Sequence, residues 1–63
     1  MNDSDKVIKA LKAHGWTFIH QVGSHQKWLG PDGKRICVVP CPQKDFPAGT
    51  KSSIEKQAGF KIF

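Results

Sequence analysis

Several things are scarce in this chain, and each scarcity narrows its class. No apolar run approaches the roughly 18 residues that a membrane span requires. The first residues, Met1-Asn2-Asp3-Ser4-Asp5, are polar and acidic. A secretory signal would carry positive charge there and then a hydrophobic stretch. The expected location is therefore the cytoplasm, with no membrane partner. Acidic residues number five against ten Lys or Arg, for a formal net charge of +5. That surplus favours a polyanionic partner, most commonly nucleic acid. Only two cysteines occur, Cys37 and Cys41. In one extended segment they would stand about 13 Å apart, at roughly 3.3 Å per residue, which is beyond disulfide reach. The cysteines and histidines show no C-x-x-C or H-x-x-x-H pair, so no metal or other cofactor is expected. Internal repeats and low-complexity tracts are absent. With 63 residues the chain has room for one domain, 1–63, and a thin core.

Local patterning predicts helix, three strands, helix. Ser4 or Asp3 can cap a first helix beginning near residue 4. Val7, Ile8 and Leu11 form its apolar stripe, Lys12 and His14 suit its C-terminal dipole, and Gly15 stops it. Trp16 to Gln21 reads as a strand, Val22-Gly23 as a turn, and Ser24 to Leu29 as a second strand. Alternation along that second strand puts Ser24 and Gln26 on the core side with Trp28. His25 and Lys27 then face the other way. Gly30-Pro31-Asp32-Gly33 is a strong turn signal, followed by a third strand from Lys34 to Val39 that Pro40 ends. Residues 40–49, with three prolines, form an ordered connector. Thr50 caps a second helix running through Ala58, Gly59 ends it, and Phe60, Ile62 and Phe63 fold back as an apolar tail.

The expected fold class is thus α+β: a single small α-β-β-β-α domain with a three-stranded antiparallel sheet and both helices on one face. Val7, Leu11, Phe18, Trp28, Val39 and Ile54 are the expected core. The opposite sheet face stays open, with His25 and Lys27 on it.

Three histidines are candidates for chemistry. A favourable helix-end contact accounts for His14. His20 reads as a surface or partly buried strand residue. His25 follows Gly23 and Ser24 at a tight turn, points away from the core, and has Lys27 two residues on. An imidazole ordinarily titrates near 6.5 and so can take and return a proton at cellular pH. RNA carries its own nucleophile, the 2′-hydroxyl, which DNA lacks. An RNA-cleaving enzyme therefore needs an acid or base and cations for the developing phosphorane charge. His25 among lysines supplies both without a metal. Lys34, Arg35 and Lys51 are further candidate phosphate contacts, with Gly23 and Ser24 beside the histidine. The segment Thr50-Lys51-Ser52-Ser53 is read equally well as a phosphate cradle or as simple capping. Cys41 has no triad-like spacing to a histidine. The same charge and elements would also serve a non-catalytic RNA-binding module or an adaptor with an open sheet face.

The segments His14-Gly15-Trp16, Gln21-Val22-Gly23-Ser24-His25 and Val39-Pro40-Cys41-Pro42 carry a wider resemblance. So do Lys44 to Thr50 and Ser53 to Gly59. In that order and spacing the chain, from Lys6 to about Phe60, resembles the HicA family of toxin–antitoxin modules. The resemblance implies a fold like the double-stranded-RNA-binding domain. It also implies cleavage of mRNA that halts translation and growth, with His25 as the catalytic histidine, and neutralisation by a HicB-type antitoxin. The chain departs from the family pattern at Cys41, where many members carry histidine, and near His20, where many carry arginine.

Overall fold

The structure, a computed structural model, describes residues 2–63. Its elements are α1 (Asp3–Ala13), β1 (Thr17–Val22), β2 (His25–Leu29), β3 (Ile36–Pro40) and α2 (Ala48–Ala58). The strands form one antiparallel sheet in the order β1-β2-β3. Trp28, Cys37 and Val39 project from one face and are buried with Val7 and Leu11 of α1 and Ile54 and Ala58 of α2. Trp16 and Phe46 close this core at its margins. The fold class read from the sequence is the one observed.

The first helix ends as its glycine predicts. Gly15 takes φ 83°, its N–H donates to Lys12 O, and the Trp16 N–H reaches back to Leu11 O. This paired closure draws Trp16 out of the sheet, so β1 begins at Thr17. At the other end of α1, the expected side-chain cap is absent. Asn2 occupies the cap position without a side-chain bond, and Asp3 and Ser4 turn inward and are buried. They staple the helix to the connector. The Asp3 and Ser4 N–H groups donate to Lys44 O (2.9 Å) and Gln43 O (3.3 Å). The Gln43 N–H donates to Ser4 Oγ (3.2 Å), and the Phe46 N–H to Asp3 Oδ2 (2.9 Å). A buried backbone donor must find a partner, and a connector rich in proline has few of its own.

Three other boundaries shift. The β1–β2 turn is Gly23-Ser24, and β1 runs on through Val22. Lys34 and Arg35 lie in the loop before β3, because the Asp32 carboxylate accepts both of their N–H groups (2.9 and 3.0 Å). Pro47, not Thr50, stands at the N-cap of α2, so Gly49 and Thr50 fall within the first turn and no side chain caps the helix. The tail returns as expected. Glu55 Oε2 accepts the N–H groups of Ile62 (2.7 Å) and Phe63 (2.9 Å), and Phe63 meets Phe46 edge to face.

Phe18 corrects the expected core. It pairs with Trp28 and packs edge to face on it at 5.6 Å, yet it is 46% exposed. It sits on the outermost strand, beyond the cover of the helices, and lines an open groove with Ile8, Lys12, Gln26 and Trp28.

Candidate active site

β2 is the central strand, and both its neighbours are antiparallel, so residues directly opposite one another share a face. The register pairs Val22 with His25 and His25 with Pro40. In the next row it pairs His20 with Lys27 and Lys27 with Val38, and Leu29 stands between Thr17 and Ile36. These three rows make the sheet face away from the helices. His20, Val22, His25 and Lys27 are all exposed on it. Alternation from Trp28 had already put His25 and Lys27 there.

His20 reaches this face through an irregularity. Thr17 and Phe18 pair in one register with β2, whereas His20, Gln21 and Val22 pair in a register shifted by one residue, with a bulge between Phe18 and His20. An extra residue inverts the facing of everything beyond it. Phe18 therefore faces the helices and His20 faces the open side. Gln21 turns to the helix side, where its carbonyl oxygen accepts from Gln26 Nε2 (3.3 Å). Gln26 Oε1 in turn accepts from Trp28 Nε1 (3.1 Å). The sequence reading missed His20 as a site residue. Strict alternation places it on the face of Phe18, and the signal that would have found it is the fit of both ends of β1 to β2 at once.

The mouth of the site is the β1–β2 turn. Gly23 adopts φ 59°, a conformation that side chains resist. The Ser24 carbonyl accepts the Cys41 N–H at 2.6 Å, tying the end of β3 beside His25. Gly23 and Ser24 are thus adjacent to the histidine, as expected from the sequence. Cys41 is partly buried next to Ser24, and both cysteines are free. Burial pushes the Cys37 thiol up to about 11, so it is a core residue and no nucleophile. Among the described residues no three His, Cys, Asp or Glu side chains gather into a metal-binding group.

The remaining predicted contacts lie elsewhere. Lys34 and Arg35 are at the opposite end of the β2–β3 hairpin, where Leu29 pairs with Ile36. Four residues of strand separate that row from the His25 row, about 13 Å at roughly 3.3 Å per residue. Arg35 also donates from Nη1 to Ala58 O (3.3 Å), closing the end of α2. With Asp32, His14, Trp16 and Phe60 it lines a shallow hollow at that end. Lys51 belongs to the helical layer. Its Nζ lies 3.8 Å from Asp3 Oδ2 and 5.2 Å from the centre of the Phe63 ring. Of the predicted cations, only Lys27 shares a face with His25. His14 is stacked on Phe60 at 3.7 Å, away from the open face.

The face is not purely polar. Val22 and Ile36 are exposed on it, and Leu29, Val38 and Pro40 are partly so. Apolar rows of this kind on an uncovered sheet face suit contact with a protein partner. No helix among the described residues is long and apolar enough to cross a membrane. Comparison with known proteins agrees with the resemblance noted above. A family profile described as HicA toxin of bacterial toxin-antitoxin matches residues 4–60. No curated protein matches the chain.

Proposed function

The chain belongs to the HicA toxin family of bacterial toxin–antitoxin modules, and from that premise we propose that it is a metal-independent endoribonuclease acting on mRNA in the cytoplasm. The observation that carries this reading is that His25 and Lys27, two residues apart on β2, are both exposed on the uncovered sheet face. His25 accepts the proton of the 2′-hydroxyl, whose oxygen attacks the adjacent phosphorus. Lys27 offsets the charge that builds on the non-bridging oxygens. Gly23 and Ser24 bring backbone close to the phosphate without crowding it, since nothing lies within 4 Å of where a Gly23 side chain would begin. Lys34, Arg35 and Lys51 contribute at most longer-range attraction for the RNA chain.

A cognate antitoxin is part of the module to which the family belongs. We propose that it is a HicB-type protein that covers the open face and His25. Val22, Leu29, Ile36 and Val38 supply the apolar contact, and an acidic surface would complement Lys27 and the chain's net positive charge.

The test is cleavage of a short single-stranded RNA by the purified protein with EDTA present. The expected products are a 2′,3′-cyclic phosphate and a 5′-hydroxyl. A single deoxynucleotide at the scissile position should block cutting, and His25→Ala should lower the rate about 10² to 10⁴-fold. RNA binding should persist in that variant. Full activity of a folded His25→Ala protein would refute the catalytic assignment. Binding without cutting by the unaltered protein would leave a non-catalytic RNA-binding module in its place.

A further inference from the structure

We infer that His20 is a second catalytic residue of this site, the general acid that protonates the leaving 5′ oxygen while His25 takes the 2′-hydroxyl proton. The inference rests on the endoribonuclease reading and adds to it a residue that the sequence had left as an ordinary strand position.

The geometry comes from the shifted register. Val22 is opposite His25 and His20 is opposite Lys27, so these four side chains occupy the corners of one cell of the sheet. The two histidines are one diagonal of that cell, and diagonal neighbours in an antiparallel pair stand about 7–8 Å apart. All four residues are exposed on the face without helices. Among the described residues, Lys27 is the only other strand residue on this face with an ionisable side chain. β1 contributes Thr17 and Val22 besides His20, and β2 contributes Lys27 and Leu29 besides His25. β3 contributes Ile36, Val38 and Pro40. Lys27 is the only other charged group that faces either imidazole from the sheet.

The chemistry calls for two such groups. In an in-line displacement the attacking and leaving oxygens lie on opposite sides of phosphorus. One imidazole cannot hydrogen-bond to both within a single step, because each contact spans only about 2.6–3.2 Å. Two imidazoles on the diagonal of a sheet cell can hold a phosphate between them, with Lys27 at its flank. The step balances with these groups alone. The 2′-oxygen–phosphorus bond forms as the phosphorus–5′-oxygen bond breaks. The 2′-hydroxyl proton passes to neutral His25, and the His20 imidazolium gives its proton to the departing 5′ oxygen. The two imidazoles then re-equilibrate their protons with water.

The experiment compares the pH–rate profiles of the unaltered protein, His20→Ala and His20→Gln on two RNAs. The first RNA is unmodified, and the second has sulfur in place of the leaving 5′ oxygen. A thiolate leaves without being protonated, so it has no need of a general acid. The unaltered protein should show a bell-shaped profile on the oxygen substrate. Both His20 variants should lose the alkaline limb and fall about 10²-fold or more in kcat, with KM within about twofold. On the sulfur substrate the deficit should disappear. A bell that survives in folded His20→Ala, or an equal deficit on both substrates, would overturn the general-acid role and leave the His25 reading standing. If the unaltered protein cuts neither RNA, the endoribonuclease reading falls, and this inference with it.

Discussion

Replacing Asp3 by alanine tests how the architecture holds the site. Asp3 is 8% exposed, and its Oδ2 accepts the N–H of buried Phe46 at 2.9 Å. Truncation removes a hydrogen bond to a charged acceptor and strands a buried donor, an effect of about 1.5–3 kcal/mol. The contact with Lys51, at 3.8 Å and with the lysine side chain 38% exposed, adds about 0–1 kcal/mol once solvent screening is counted. The expected loss is therefore about 1.5–4 kcal/mol. A chain of this length has a total stability of roughly 3–9 kcal/mol, at 0.05–0.15 kcal/mol per residue. The melting temperature should fall by roughly 6–30 °C, at about 4–8 °C per kcal/mol for so small a domain. Asp3→Asn keeps an acceptor for the Phe46 N–H and should recover about half of the loss. Thermal unfolding followed by circular dichroism reads all three proteins. Because the carboxylate is far from the open face, RNA cleavage below the transition should be unchanged. A melting temperature for Asp3→Ala within about 2 °C of the unaltered protein would show that the α1–connector staple contributes little, and the argument from the buried donor would fail.

Lys27→Ala should reduce the salt dependence of binding to single-stranded RNA by about 0.7 in log–log slope, one phosphate contact, and lower kcat as well. Lys34→Ala, at the far end of the hairpin, should weaken binding and leave kcat alone; equal effects on kcat would refute the separation of the two lysines. Gly59→Ala should destabilise by about 1–2 kcal/mol for the left-handed backbone alone, since φ there is 83°. The added methyl would also collide with the Arg35 guanidinium, so chemical denaturation should show a larger loss than at an open left-handed glycine. The Phe63 and Ile62 N–H groups hold the Glu55 carboxyl below its usual value of 4.5. A carboxylate lowered on folding adds stability that is complete above its unfolded value and disappears as pH falls through the native one. The stability gap between the unaltered protein and Glu55→Gln should therefore be present at pH 7 and shrink as pH falls below 4.5 and through the lowered native value; a gap that does not shrink on acidification would refute the tail-docking role.

Much of this molecule is legible in local pattern. The stripe of Val7 and Leu11 with a following glycine suffices for α1, and Gly30-Pro31-Asp32-Gly33 suffices for the β2–β3 hairpin. The placement of His25 needs only Trp28 and a period of two, because β2 runs without interruption and the large apolar side chain chooses the buried face. Other features depend on partners distant in the chain. Asp3 and Ser4 look like helix caps until the connector, 43 residues from Asp3 at Phe46, presents donors that need them more. Lys34 and Arg35 read as strand until Asp32 gathers their amides. His20 is the sharpest case. Phe18 must lie against Trp28, and the short turn must set Val22 against His25. Both pairings hold only if one residue bulges between them. That condition belongs to the paired strands, since neither strand alone requires it, and it is what turns His20 toward His25.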